Sequence, residues 1–236
     1  MSVALAGQLR EGTKKSHTMA ENTGFVACFL KGVVEKTSYR KLISDLYFVY
    51  QAMEGEIDRL VKENHPIIKH IGFKELFRKK TLENDLQFYY GDNWINEIKI
   101  SDSAQLYVNR ILLVAKESPE LLVGHHYTRY IGDLSGGQIL KKIAKKALNL
   151  EGDDGLNFYE FKLINDEKHF KKTYSDTLNK LPIDQKIADK IVEEANEAFL
   201  YNMKMFKELE GNLIGVLGRI VFNFITKKVR KGSTED

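Results

Sequence analysis

HHYTRYIGDLSGGQIL, residues 125–140, is the stretch on which the predicted fold depends. Its apolar residues keep a helical spacing, yet Gly132, Gly136 and Gly137 stand in its interior. Each interior glycine costs a helix about 0.5–1 kcal/mol relative to alanine, so three glycines close together need a reason. Gly132 and Gly136 share one helix face, where bare backbone can contact a flat ligand or let the helix kink. The alternative is a close crossing of two helices, which small residues also permit.

Helical patterns continue on both sides of this stretch. In residues 42–60, apolar side chains recur every three or four positions. A second stripe covers residues 187–213 and fits one helix or two, with Gly211 as the expected interruption. Further helices are predicted at 5–22, 25–34, 75–90, 103–116 and 166–178, with Asp184 as a helix N-cap. Because the sequence has no strand-like alternation of useful length and no internal repeat, the predicted fold class is all-α.

Composition favours a single domain. The chain has 236 residues, 43% of them hydrophobic, which is enough for one sizeable core. Only three prolines occur, and no linker rich in proline, glycine or serine divides the sequence. We place the domain at residues 1–226 and expect residues 227–236, KKVRKGSTED, to be a polar, disordered tail.

The sequence predicts a soluble protein in a reducing compartment. A single cysteine, Cys28, excludes an internal disulfide framework, and we interpret it as a small packed apolar group. The first ten residues lack an apolar core flanked by basic residues, so we expect no signal or transit peptide. Residues 213–226 are apolar but contain Arg219 and Asn223, and a bilayer span needs roughly 20 residues.

The net charge is mildly positive, at +3 from 36 basic and 33 acidic side chains. The basic residues cluster at 78–80, 141–146, 168–172 and 227–231. Such clusters are ordinarily solvated faces, although they can also bind an acidic partner. We expect neither a nucleic-acid nor a membrane partner.

The first predicted helix carries a stripe of ionisable residues. Arg10, Lys14, His17 and Glu21 are spaced so that all four project from one face. A solvated surface helix gives the same pattern. The alternative is a haem-binding site. In such a site the imidazole can bind haem iron, while cations one or two turns away meet the haem carboxylates. Glu21 can then accept a hydrogen bond from the other ring nitrogen and fix its tautomer.

Several other chemistries lack their motifs in this sequence. A haem here cannot be attached covalently, because Cys-x-x-Cys-His does not occur. The paired Glu-x-x-His of di-iron bundles is missing, and His125 and His126 diverge by about 100° on a helix. No P-loop, GxGxxG or GxSxG motif is present.

Two segments together resemble the heme oxygenases: EGTKKSHTMAEN around His17 and YTRYIGDLSGGQILKKIA in the glycine-rich stretch. The likeness extends over about residues 5–226. LKGVVEK, QFYYG, PELLVGH and the terminal GSTE resemble the soluble cyanobacterial and plastid type. The membrane-anchored animal type has a hydrophobic C-terminal tail, which this sequence lacks.

The resemblance implies a helical fold in which haem b lies between a proximal helix and a kinked distal helix. His17 would be the axial iron ligand, and the backbone at Gly132, Gly136 and Gly137 would cover the other haem face. Asp133 would hold an ordered water, with a polar network extended by Tyr50, Arg129 and Asn202. The propionates would contact Arg10, Tyr127 and Lys171, with Lys14 as a further candidate. We also count Glu21, Phe199 and Phe206 among the haem contacts.

The activity implied is the oxidative cleavage of haem to biliverdin, carbon monoxide and ferrous iron. Haem is then both substrate and cofactor, O2 is the oxidant, and reduced ferredoxin supplies the electrons. The bilin product would serve phycobilin or phytochrome chromophores through a downstream bilin reductase, in a cyanobacterial cytosol or a plastid stroma.

One position departs from the family pattern. Where relatives have an arginine four residues after the lysine matching Lys171, this chain has Ser175. A propionate partner is therefore missing or replaced by Lys168 or Lys172. This departure keeps open a non-catalytic haem-binding or haem-delivery protein. A third hypothesis is a helical interaction module without a cofactor, in which the glycines serve a helix crossing.

Overall fold

A computed structural model describes the backbone of residues 3–231 and the side chains of residues 3–210. The elements in this range are helices and short helical turns with no strand, so the all-α prediction is confirmed. The α-helices are α1 (Leu5–Gly12), α2 (Lys14–Glu21), α3 (Gly24–Leu30), α4 (Lys36–Lys62), α5 (Lys79–Tyr90), α6 (Trp94–Glu97), α7 (Asp102–Glu117), α8 (Leu122–His126), α9 (Gly132–Ala147), α10 (Glu167–Asn179) and α11 (Gln185–Lys231).

The centre of the fold is α4, which packs against α5 and α7. Its inward side chains, among them Tyr50, Met53 and Ile57, are completely buried. Burying one such apolar side chain contributes about 1.5–3 kcal/mol. The long helix α11 lies across α7 and α8 and also contacts α1, α2 and α3. It therefore connects the N-terminal helices to the core.

The predicted first helix, residues 5–22, is wrong as a single element, because the chain breaks at Thr13 into α1 and α2. The Thr13 hydroxyl donates to the Leu9 carbonyl at 2.7 Å, and Gly12 packs directly on Val192 of α11. Both contacts are tertiary or local backbone effects that helical periodicity does not reveal.

The predicted interruption at Gly211 is also wrong. Helix α11 continues without a break from Gln185 to Lys231, because one interior glycine costs a helix only about 1 kcal/mol. The first five residues of the predicted polar tail, 227–231, therefore belong to this helix, and residues 232–236 lie outside the described residues. Two predicted starting residues are confirmed: Asp166 accepts from the His169 amide at 2.9 Å, and Asp184 accepts from the Ile187 amide at 2.8 Å.

A π-helical turn, Tyr127–Ile131, joins α8 to α9. A π turn places one extra residue in the helix and redirects it, and such turns are frequent at functional sites. It lies directly before Gly132, where the sequence predicts a kink. Within the described range, no helix is both long and apolar enough to cross a membrane.

Candidate functional site

A cavity of about 310 Å³ lies between α9 on one side and the N-terminal helices and α11 on the other. Its lining is mostly apolar, with a small polar cluster next to the π turn. Helices α2 to α4 provide His17, Ala20, Glu21, Phe25, Val26, Phe29, Leu30, Leu42 and Leu46. The remaining lining residues are Thr128, Arg129, Gly132, Asp133, Gly136, Ile139, Leu140, Phe158, Tyr159, Phe199, Asn202 and Phe206.

Two glycines expose backbone to this cavity. A Cβ atom added at Gly132 would meet nothing within 4 Å, and one at Gly136 would meet only Leu140 at 3.9 Å. Neither glycine is therefore needed for the packing of protein against protein. The helix-crossing hypothesis fails for this pair, and the bare backbone instead adjoins open cavity.

The close helix crossing occurs about two turns before Gly132, at Gly124. A Cβ atom there would lie 2.8 Å from the Ala195 amide nitrogen and the Ile191 carbonyl oxygen, so α8 and α11 touch backbone to backbone. Gly137 also packs against protein, 3.5 Å from the Tyr159 carbonyl oxygen, and it does not line the cavity.

His17 projects from α2 at the edge of the cavity, with 54% of its side chain exposed. Its Nδ1 lies 3.7 Å from a carboxylate oxygen of Glu21, one turn further along the helix. Its ring meets Phe199 of α11 edge-on, with 5.9 Å between the centroids. The imidazole therefore borders the same cavity as the two bare glycines.

A buried polar cluster lies beside the glycine backbone. Arg129 donates to Asn202 at 2.6 Å, to the Tyr50 hydroxyl at 3.1 Å and to Asp133 at 3.2 Å. The Tyr50 hydroxyl donates in turn to the other carboxylate oxygen of Asp133. The extra residue of the π turn and the one-turn spacing of Arg129 and Asp133 place both side chains on this wall.

Burial raises the pKa of the Asp133 carboxyl well above its usual range. The Arg129 guanidinium opposes that rise, because an opposite charge nearby favours the ionised form. Burial also lowers the pKa of Arg129. A buried carboxyl whose pKa is raised is a candidate general acid for a group bound in the cavity.

The predicted residues separate into two groups. Nine of them line the cavity: His17, Glu21, Arg129, Gly132, Asp133, Gly136, Phe199, Asn202 and Phe206. Tyr50 reaches it through Asp133. Arg10, Lys14, Tyr127 and Lys171 lie outside the lining.

Three of these four residues have identified side-chain partners outside the cavity lining. Arg10 lies 3.4 Å from Glu11 and Lys171 is paired with Glu167. Burial raises the pKa of Tyr127, whose hydroxyl is hydrogen-bonded to Thr13 and lies near Arg10. Ser175 is partly buried on α10, whereas Lys168 and Lys172 are exposed.

Sequence reasoning missed most of the apolar wall. Phe25 and Phe29 contribute to it from α3, and Phe158 and Tyr159 from a short helical turn. The only sequence signal for the last pair is the aromatic segment FYEF, residues 158–161, outside any helical stripe. In the described part of the chain, no group of three or more His, Cys, Asp or Glu residues could hold a metal ion.

The family model and the relatives with similar sequences all indicate the same family. The family model for heme oxygenases matches residues 3–208. Heme oxygenase 1 of Synechocystis is 64% identical over 235 residues, covering 100% of this chain and 97% of that protein. Heme oxygenase 1 of Nostoc is 57% identical, covering 100% of this chain and 98% of that protein.

Solved structures agree with this result. The crystal structure of Synechocystis heme oxygenase-1 in complex with heme superposes with a TM-score of 0.90, covering 94% of this chain and 100% of that one. The structure of Synechocystis heme oxygenase-2 in complex with heme and NO is 42% identical in sequence and superposes with a TM-score of 0.89. The match covers 95% of this chain and 93% of that one. From the family match, these relatives and the shared fold, the chain belongs to the heme oxygenase family.

Proposed function

We propose that this protein binds haem b in the cavity and cleaves it to biliverdin, carbon monoxide and ferrous iron. The observation that carries the proposal is the bare backbone at Gly132 and Gly136 in a cavity that also presents the His17 imidazole. A flat, largely apolar ligand fits between such walls. The solved relative in complex with heme supports this choice of ligand.

Each polar residue of the site has a distinct part in this proposal. His17 supplies a neutral nitrogen ligand from one side, and Glu21 is near enough to bias the imidazole orientation. On the glycine side, Asp133 holds a proton for delivery through water, and Tyr50 and Arg129 fix its two oxygens. When bound, the haem iron supplies the centre at which O2 is activated.

The glycine backbone also determines which part of the ligand reacts. Because Gly132 and Gly136 carry no side chains, the helix can approach the ligand closely and limit the space above it. This restriction would direct the oxidant to one edge of the porphyrin. Ile139 and Leu30 are exposed apolar residues of the cavity lining.

We propose reduced ferredoxin as the electron donor. The net charge of +3 and the exposed lysines at 142, 146, 168 and 172 favour an acidic redox partner. A bilin reductase would then use the product for phycobilin or phytochrome chromophores, in a cyanobacterial cytosol or a plastid stroma.

The test is turnover of the purified protein with hemin, O2 and reduced ferredoxin. Appearance of the biliverdin absorption band, with release of carbon monoxide, is the expected result. A Soret band that forms with hemin but never converts to biliverdin would instead indicate the haem-delivery alternative. No hemin-induced Soret shift would overturn haem binding altogether.

A further inference from the structure

The position of the His17 side chain depends on the helix that carries it. The imidazole is 54% exposed and has few contacts of its own, namely Glu21 at 3.7 Å and the edge of Phe199. A side chain projects about 5–6 Å from its helix axis, so rotating α2 by about 20° displaces the ring by about 2 Å. A functional ligand must be held within about 0.5 Å. Something other than the packing of the ring must therefore fix the rotation of α2.

One face of α11 contacts α2 and the break before it. Val192, Asn196 and Phe199 are spaced by four and three residues, so they lie on the same side of the helix. Val192 occupies the space beside Gly12, where an added Cβ would lie 2.4 Å from its Cγ1 atom. Phe199 meets His17 itself. Asn196 lies between them.

The side-chain amide of Asn196 makes three hydrogen bonds, two of which reach α1 and α2. Its Nδ2 donates to the Gly12 carbonyl at 3.2 Å and to the Val192 carbonyl of its own helix at 2.9 Å. Its Oδ1 accepts from the Ser16 hydroxyl at 2.5 Å. The Asn196 side chain thus binds the end of α1 at Gly12. It also binds Ser16 of α2, which directly precedes His17.

These two attachments fix α2 in different ways. The bond to Gly12 holds the chain at the break that precedes α2, and the bond to Ser16 prevents α2 from turning about its axis. Neither bond involves Glu21 or the cavity lining.

We propose that Asn196 is a positioning residue that sets the orientation of the His17 imidazole through Ser16 and Gly12. The inference rests on the proposed ligation of haem iron by His17. It assigns to α11 a role in the proximal side of the site that its cavity-lining residues, Phe199, Asn202 and Phe206, do not include.

The experiment uses the full chain loaded with hemin and compares Asn196→Leu with Ser16→Ala. Leucine has the same number and branching of side-chain heavy atoms as asparagine but can neither donate nor accept a hydrogen bond. The matched control is Glu193→Leu, which places the same side chain at an exposed position of the same helix. The readouts are the iron–imidazole stretching band of the ferrous complex, measured by resonance Raman spectroscopy, and the dissociation constant for hemin.

We expect Asn196→Leu to shift and broaden the iron–imidazole band and to raise the dissociation constant about tenfold, because several hydrogen bonds are lost together. Ser16→Ala removes one bond and should shift the band less, in the same direction. The double variant should match Asn196→Leu, since both residues act through one contact. Glu193→Leu should leave the band and the affinity unchanged.

A band of unchanged frequency and width in both single variants would overturn the positioning role while leaving haem ligation intact. A wild-type complex without this band would overturn the proposed ligation and the inference with it. If circular dichroism shows that Asn196→Leu does not fold, Ser16→Ala decides the question alone.

Discussion

At the residue scale, glycines in adjoining helical segments have opposite packing environments. Gly124 is in backbone contact with α11, whereas a methyl group at Gly132 would enter open cavity. The sequence shows both as interior glycines in a helical pattern and cannot separate them. Only the position of the neighbouring helices distinguishes a packing glycine from one that leaves room for a ligand.

Alanine substitutions at these two positions should therefore have opposite effects on stability. Gly132→Ala should raise the free energy of unfolding by about 0.5–1 kcal/mol, because alanine is the better helix former and meets no atom. It should also slow biliverdin formation, since the methyl group intrudes on the ligand. Gly124→Ala should lower the melting temperature, because its Cβ would lie 2.8 Å from α11 backbone. Thermal melts measure the stability of both variants, and turnover assays measure biliverdin formation. Equal destabilisation by the two substitutions would contradict the assignment of Gly124 to packing and Gly132 to the cavity.

Asp133 is the residue whose removal should separate binding from chemistry. Asp133→Ala should still bind hemin, because the carboxyl forms part of one wall only, but biliverdin formation should fall about 100-fold or more. Tyr50→Phe removes one hydrogen bond to Asp133 and should have a smaller effect. Optical titration and single-turnover kinetics measure the two quantities. Unchanged turnover in Asp133→Ala would exclude it as the proton donor.

At the element scale, a short turn that forms one cavity wall is held from two sides. Asp85 of α5 accepts from the Asn157 and Phe158 amides, each at 2.8 Å. Arg78 donates to the Phe158 carbonyl at 3.3 Å and also to the Glu160 carbonyl. This turn, Asn157–Tyr159, carries Phe158 and Tyr159 of the cavity lining.

Asp85→Ala should accordingly damage both stability and binding. It leaves one buried and one half-buried backbone amide without an acceptor, so we expect the free energy of unfolding to fall by about 2–4 kcal/mol. The affinity for hemin should also fall, because the wall is no longer held. Asp153→Ala is the control: that carboxylate binds Lys141 and Lys145 at the surface, and its loss should leave both quantities unchanged. Chemical denaturation and hemin titration provide the comparison.

Element boundaries show where sequence reasoning works and where it stops. The caps at Asp166 and Asp184 were predictable, because an N-cap is a local interaction between a side chain and a nearby amide. The break at Thr13 lies beside a contact between Gly12 and Val192 of α11, and the π turn begins and ends with helical backbone angles, so neither leaves a mark in apolar spacing.

At the scale of the whole molecule, buried carboxyls make stability depend on pH. Burial raises the pKa of Asp45 and Asp85 to about 6 and that of Glu54 to about 7. These three carboxyls therefore bind protons more tightly in the folded state than in the unfolded state between about pH 4 and 7. One group opposes them, because burial lowers the pKa of His126 to about 3. Burial alone would raise the pKa of Glu194, but hydrogen bonds from His125 and Arg110 lower it to about 2. Ionised Glu194 therefore stabilises the folded state, and this stabilisation is lost only as the pH falls below about 4.5.

We expect the free energy of unfolding to decrease as the pH rises from 4.5 to 7.5. Glu54→Gln should flatten this dependence, by at most about 1.4 kcal/mol per pH unit for one titrating group. The amide oxygen of glutamine can still accept from Arg78, whose backbone amide binds Glu54 at the start of α5. Glu63→Gln, at an exposed position, should leave the slope unchanged. Urea unfolding at several pH values measures the slope of the free energy of unfolding against pH. A free energy of unfolding that rises with pH across this range would contradict the account.

Several residues of the candidate site were predictable because its ionisable residues recur at a spacing of about one helical turn. His17 and Glu21 share a face of α2, and Arg129 and Asp133 are one turn apart. The apolar wall from α3 and the Asn157–Tyr159 turn was not predictable, since aromatic residues there look like any other core residues. The placement of Lys171 outside the cavity depends on how α10 packs on α1, which no local pattern encodes.

The central claim is that the His17 imidazole binds the haem iron in a cavity bordered by bare glycine backbone. The most direct measurement is the resonance Raman spectrum of the ferrous hemin complex with ¹⁵N-labelled histidine. The account predicts an iron–imidazole band that shifts on labelling, disappears in His17→Ala and persists in His169→Ala, a change at an exposed histidine. A band that survives in His17→Ala would contradict it.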